Sequence, residues 1–184
     1  MSDVSELAKF SKALSRALDA SSAFEVVEHK SRELFDHILF TALSFDYDAG
    51  VMTRLYSNRA DVSPTGGTKP FPSGIWADRI ITDGSCYIGN DRQDVKDVFF
   101  DYEALWAIGC ESVLNVSVRW RNRTVGSLNI LGRAGQFDQD AASLFCVFGQ
   151  LTVPLFLKSE EAALRVAEGS RSAGAVTRSE RSTA

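Results

Sequence analysis

Residues 112–131 read Ser112-Val-Leu-Asn-Val-Ser-Val-Arg-Trp-Arg-Asn-Arg-Thr-Val-Gly-Ser-Leu-Asn-Ile-Leu131. The period is two on both sides of the charged turn Arg121-Asn122-Arg123, so the stretch predicts strands over 112–120 and 124–131 joined in a hairpin. On the first strand Leu114, Val116 and Val118 share one face, and Val113, Asn115 and Ser117 the other. On the second, Leu128 and Ile130 lie opposite Ser127 and Asn129. The apolar faces should pack on a helical layer. The other faces carry two Asn and two Ser in mid-sheet. Such groups are destabilising under a dry apolar cover, and are well tolerated beside water or a polar pocket.

Working outward toward the C-terminus, Gln136-Phe137-Asp138 leads into a long helix. Asp138 is its predicted cap, Leu144, Phe145, Phe148 and Leu151 its inward side, and Pro154 a kink. An extension over 158–168 and a small, polar, disordered tail over 169–184 are expected. Upstream, Asp94 is expected to cap a helix carrying Val95, Val98, Phe99, Tyr102 and Trp106, ending near Gly109. Cys86-Tyr87-Ile88 reads as a short strand. Pro72 suits the first turn of a short helix with Ile75, Trp76, Ile80 and Ile81. Residues 63–73 hold three prolines and two adjacent glycines, and read as a loop.

Thr41 to Tyr47 and Val51 to Tyr56 form a second hairpin across Asp48-Ala49-Gly50. Ahead of it, Phe24, Val27, Leu34, Phe35 and Ile38 draw one helical stripe. The helix should run from about Ala23 to Ile38 with a Ser22–Glu25 capping box. A first helix within residues 1–20 carries Leu7, Phe10, Leu14 and Leu18, with Asp3 and Glu6 as its box. The whole is an α+β arrangement. An antiparallel sheet of five or six strands has long helices on one face and short helices and loops on the other.

The 184 residues are 45% hydrophobic and 24% charged, with a formal net charge of −4. That supports a real core and supplies no overall field for nucleic acid or an anionic membrane. No apolar run could span a bilayer, and the acidic start does not read as a signal peptide. Cys86, Cys110 and Cys146 form no disulfide framework, so a reducing, cytoplasmic setting is expected. His29 and His37 have no nearby Cys ligand, and no metal or cofactor is predicted. Asp91, Asp94, Asp97 and Asp101, with Arg92 and Lys96 between them, read as a solvated helix face. Arg119, Arg121 and Arg123 read as exposed turn charges.

The element order, with Val125-Gly126-Ser127-Leu128-Asn129-Ile130 and the Phe137-Asp138 entry to the last helix, resembles a GAF domain over roughly residues 23–157. The domain is placed at 21–157, as a stand-alone, single-domain member. Ser117 stands where the family commonly has Pro. Neither the acidic motif of cyclic-nucleotide-binding members nor the Cys-His pair of bilin-binding members is visible. The resemblance implies a small-molecule-binding sensory or regulatory module. It would be non-enzymatic and would signal through dimer or partner contacts.

The family's cavity lies on the polar side of the sheet. The expected ligand-binding residues are therefore Asn115, Ser117, Ser127 and Asn129 as floor and Trp76, Tyr87, Phe99, Tyr102 and Trp106 as aromatic roof, with Arg54 available for an anion. The ligand itself is unidentified. Leu7, Phe10, Leu14 and Leu18, with Leu155, Leu164 and Val166, could pair two protomers as a homodimer. A signalling protein partner is a further possibility. Two other functions stay open. One is a thiol-dependent enzyme of the free methionine sulfoxide reductase type, using Cys110 or Cys86. The other is an interaction module whose pocket is filled by its own side chains.

Overall fold

A computed structural model describes residues 3–157. The extension at 158–168, the tail at 169–184, Leu164 and Val166 lie outside the described residues. Six strands are described: β1 (Leu39–Asp46), β2 (Val51–Ser57), β3 (Thr68–Pro70), β4 (Cys86–Gly89), β5 (Ser112–Trp120) and β6 (Arg123–Gly132). They form one antiparallel sheet in the order β3-β2-β1-β6-β5-β4. The two expected hairpins are present. β1 and β6 pair in the middle, so the deciding strands 112–120 and 123–132 lie at the heart of the sheet. β3 falls inside the segment expected to be loop. It is three residues long and ends at Pro70, as an edge strand can, because its outer groups need no partner strand.

Among the described residues six helices surround the sheet: α1 (Asp3–Leu14), α2 (Ala20–Phe35), α3 (Ile75–Ala77), α4 (Arg92–Val98), α5 (Tyr102–Ala107) and α6 (Gln139–Leu151). A π turn over Asp78–Thr82 continues α3. Several ends differ from expectation. The α2 capping box is Asp19–Ser22, one turn earlier than Ser22–Glu25. The Asp19 carboxylate accepts from the Ser22 N–H at 2.8 Å and Ser22 Oγ accepts from the Asp19 N–H. A carboxylate outcompetes a hydroxyl for the exposed N–H groups of a first turn.

The far end of α2 stops at Phe35 rather than Ile38. Asp36 turns left-handed, and the Ile38 N–H already donates to Leu131 in the sheet. Asp91, not Asp94, caps α4, accepting from Gln93 and Asp94 N–H. The helix expected to run on to Gly109 is two helices. Phe99 is extended, and the chain restarts at Asp101. Asp138 caps α6 as expected, and the helix breaks at Thr152, two residues before Pro154.

Leu114, Val116, Val118, Leu128 and Ile130 pack with Phe24, Val27, Phe145 and Phe148, so α2 and α6 cover the apolar face. Phe10 of α1 stacks on Phe148 at 4.1 Å between ring centroids. Burying each such ring is worth roughly 1.5–3 kcal/mol relative to leaving it exposed. This layer is the stabilising half of the molecule. The opposite face carries two smaller clusters, one around Val95, Leu105, Cys110 and Val113 and one around Phe45, Met52, Trp76 and Ile80.

Candidate functional site

The two amides on the polar face of β5 and β6 are bonded by protein. Trp76 Nε1 donates to Asn115 Oδ1 at 3.0 Å, and Asn115 Nδ2 donates to Asn129 Oδ1 at 2.6 Å. Asn129 Nδ2 donates onward to Thr41 Oγ1 at 3.2 Å and Thr41 O at 3.3 Å. The chain of bonds crosses β5, β6 and β1 at one level, because Asn115 faces Asn129 and Asn129 faces Thr41 in the strand register. It answers the desolvation cost that these amides would otherwise carry.

Ser117 and Ser127 are buried farther along the same strands. Ser127 Oγ has no hydrogen-bond partner among the described residues. The π turn packs over this end of β5 and β6, and Thr124 Oγ1 donates to Ile80 O at 3.1 Å to hold it there.

A cavity of about 380 Å³ opens on the other side of Trp76, over β2, β1 and β6. Its floor includes Met52 and Arg54 of β2, Leu39, Thr41 and Leu43 of β1, and Asn129 and Leu131 of β6. Lys69 and Pro70 of β3, then Phe71, close one side. Phe99, Phe100 and Asp101, at the break between α4 and α5, close another. Four of the expected residues therefore line one space: Asn129, Trp76, Phe99 and Arg54. Asn115 sits beneath Trp76. Tyr87 packs between the two smaller clusters, its hydroxyl 3.5 Å from Asp94 O. Tyr102 and Trp106 lie against each other at 4.6 Å, with Lys96 and Arg92 over their rings. These two belong to the packing behind the lid, and neither they, Asn115, Tyr87, Ser117 nor Ser127 is among the lining residues.

The charges of the cavity were only partly visible in the sequence. Asp101 stands at the start of α5 and makes no capping bond there. Its Oδ2 instead lies 3.4 Å from Lys69 Nζ, and its Oδ1 is buried without a partner among the described residues. Lys69 Nζ also sits 4.1 Å from the Phe100 ring centroid. Arg54 Nη1 donates to Pro64 O at 3.0 Å, while its buried Nε has no partner among the described residues. Burial pushes the pKa of both Lys69 and Arg54 down, and the Asp101 charge pulls each back up. Arg54 was readable as a strand cation. Lys69 was hidden in a proline-rich loop, and Asp101 in an acidic series that looked solvated.

The thiols stand apart. Cys110 is fully buried with Leu105 and Leu131, and burial drives its pKa up to about 12. Cys86 and Cys146 pack with the helical layer, on the face of the sheet away from the cavity. Among the described residues no cluster of His, Cys, Asp and Glu is arranged to hold a metal ion, and no helix is long and apolar enough to cross a membrane.

No protein-family model and no curated protein sequence matches the chain. Solved structures do. The GAF domain of an Acinetobacter phosphoenolpyruvate-protein phosphotransferase superposes with a TM-score of 0.71 at 11% identity, over 89% of this chain and 99% of that one. The chromophore-binding domain of a Rhodopseudomonas palustris (R. palustris) bacteriophytochrome gives 0.64 at 14%, over 87% of this chain and 62% of that one. Free methionine-R-sulfoxide reductase from Neisseria meningitidis, solved with its substrate, gives 0.60 at 16%, over 85% and 89%. The chain has the GAF fold. At these identities the likeness extends to the fold alone, since one fold carries many functions.

Proposed function

We propose that this GAF-fold protein is a non-enzymatic sensory or regulatory module that takes a small molecule into the cavity between β1–β3 and the α4–α5 lid. The observation that carries the reading is the cavity itself. About 380 Å³ of space is walled mostly by apolar side chains, with a few convergent polar groups, which is the usual make-up of a ligand site. Trp76, Phe99, Asn129 and Arg54 are the proposed contacts from the sequence, joined by Thr41, Lys69 and Asp101. Asn115, Ser117, Ser127, Tyr87, Tyr102 and Trp106 would support the site from behind rather than touch the ligand.

A ligand that touches both β3 and the Phe99–Asp101 break favours the closed lid, and the bound state is passed on by population shift. Apolar side chains left bare on the helical layer support transmission to a second copy or a signalling partner. Leu18 is 96% exposed and Val147 39%. Three unpaired cysteines fit a reducing compartment such as the cytoplasm.

Two observations weigh against a thiol enzyme. Cys110 is held as a thiol far above neutral pH, and Cys86 packs on the wrong face of the sheet for a ligand in the cavity. Replacing Cys86 and Cys110 by Ser should leave ligand binding unchanged. The saturated Asn115–Asn129 pair is what a self-filled interaction module would show. The void beside it is what such a module would lack. Native mass spectrometry of the purified protein, with thermal-shift titration against a metabolite panel, tests the proposal. A co-purified small molecule, or a Tm that climbs with ligand concentration, supports it. No bound mass and no shift from any panel member would remove it.

A further inference from the structure

The lining of the cavity bears three charges: Arg54, Lys69 and Asp101. Lys69 and Asp101 pair with each other at 3.4 Å. Arg54 has no carboxylate within ion-pair distance among the described residues, and its one side-chain bond goes to a neutral carbonyl, Pro64 O. One positive charge is therefore left over in a half-buried, largely apolar setting. A partly desolvated cation is unfavourable, and burial depresses the Arg54 pKa against the pull of Asp101, the one acid that the two cations share. A buried or half-buried charge is normally answered by a paired one.

The position of the charge sets the shape of its partner. Arg54 lies on β2 and Lys69 on β3, at one end of the floor. The opposite end is apolar: Leu39 on β1, Leu131 on β6, and Leu105 from the lid. In the register Leu43 faces Arg54 and Leu39 faces Leu131, so Leu131 stands two strand spacings across, about 10 Å, and four residues along, about 13 Å, from Arg54. Between the ends lie Leu43 and the Trp76 ring.

Resting on the receptor reading above, we propose that the ligand is an organic monoanion: a single carboxylate or similar group held by Arg54, joined to an apolar body that lies over the floor toward Leu131 and Leu105. The second cation, Lys69, is neutralised by Asp101, so a dianion such as a phosphate ester would lack its second counter-charge. A cationic ligand would meet Arg54 with no free acid to offset it.

The test uses three probes of one shape on the full chain: 3-phenylpropanoate, its amide, and 3-phenylpropylammonium. Binding is read by calorimetry or by chemical-shift titration. The carboxylate should bind roughly tenfold to a hundredfold tighter than the amide, the usual range for a charge-assisted bond in a partly dry site. The ammonium should bind weakest. Arg54→Gln should bring the carboxylate down to the level of the amide and weaken the amide far less, and Arg54→Lys should restore part of the gap. Lys69→Gln keeps the test sound if the Arg54 variants disturb the Pro64 loop. It frees Asp101, and so should weaken the carboxylate and strengthen the ammonium. If the amide or the ammonium binds as well as the carboxylate, the anion assignment falls and the receptor reading stands. If none of the three binds, the monoanion assignment falls, and the receptor reading is decided separately by the mass-spectrometry and thermal-shift panel.

Discussion

The His37 imidazole is 3% exposed, with Nε2 3.4 Å from Glu28 O and Nδ1 unpartnered among the described residues. Burial pushes its pKa down to about 4, against the opposing pull of the Glu28 charge. In the unfolded chain it titrates near 6.5. Between those values the unfolded state holds a proton that the folded state refuses, so stability is lost as pH falls from about 6.5 to about 4. The full gap is worth on the order of 3 kcal/mol. Urea unfolding at pH 7 and pH 4.5 should show the loss in the native protein, and His37→Gln should remove most of it. An NMR titration placing His37 near 6.5 in the folded protein would contradict this.

The same logic of buried polar groups governs Trp76. Trp76→Phe keeps one aromatic ring but removes the pyrrole ring with its donor, leaving Asn115 Oδ1, in a residue 1% exposed, without its bond. A loss of about 1–3 kcal/mol is expected in chemical denaturation. A loss within error would mean that water reaches this amide.

Two single positions control the central hairpins. A methyl group at Gly126 would lie 2.4 Å from Leu43 O on β1 and 2.4 Å from the Phe156 ring on the other side. Neither a backbone carbonyl in mid-sheet nor a ring that is 1% exposed can step aside cheaply. Gly126→Ala should therefore cost about 1–3 kcal/mol, the range for forced overpacking, seen as a lower Tm with the fold retained. At the β5–β6 turn both central residues are left-handed, Arg121 at φ 48° and Asn122 at φ 61°. Such turns favour Asn and Gly. Arg121→Asn should raise stability by about 0.5 kcal/mol.

These strands were legible because alternation and a two-residue turn are local signals. Helix ends were less so. Asp19, Ser21 and Ser22 are all competent caps, and only the three-dimensional register of α2 against the sheet selects among them. β3 was illegible, since Thr68-Lys69-Pro70 has no period to read. The hydrophilic face was visible in Asn115 and Asn129, but its explanation was not. The donors and acceptors that satisfy it, Trp76 and Thr41, are brought in by long-range pairing. The cavity charges were obscured for the same reason, because Lys69 and Asp101 lie 32 residues apart in sequence.

At the scale of the whole molecule the two faces of the sheet are unequal. The helical face holds most of the aromatic core, and among the described residues its outer surface is not fully covered. A crevice between α1 and the end of α6 is lined by Leu14, Leu18, Leu151 and Leu155. Leu18 at 96% and Leu151 at 36% exposure lie on its rim. Apolar side chains bare at one crevice are an unfavourable surface for a lone protomer, and a two-fold interface would cover both copies with one contact. A homodimer built on this face would leave the proposed ligand cavity, on the opposite side of the sheet, free in both protomers. Light scattering on a sizing column should therefore give twice the chain mass. Leu18→Glu with Leu151→Glu should halve that mass, while far-UV circular dichroism and carboxylate binding stay unchanged, because neither residue supports the sheet or lines the cavity. A native protein that elutes as a monomer at high concentration would overturn the two-fold interface. A double variant that loses ligand binding as well would show that the two faces are coupled, and that the helical layer takes part in holding the cavity open.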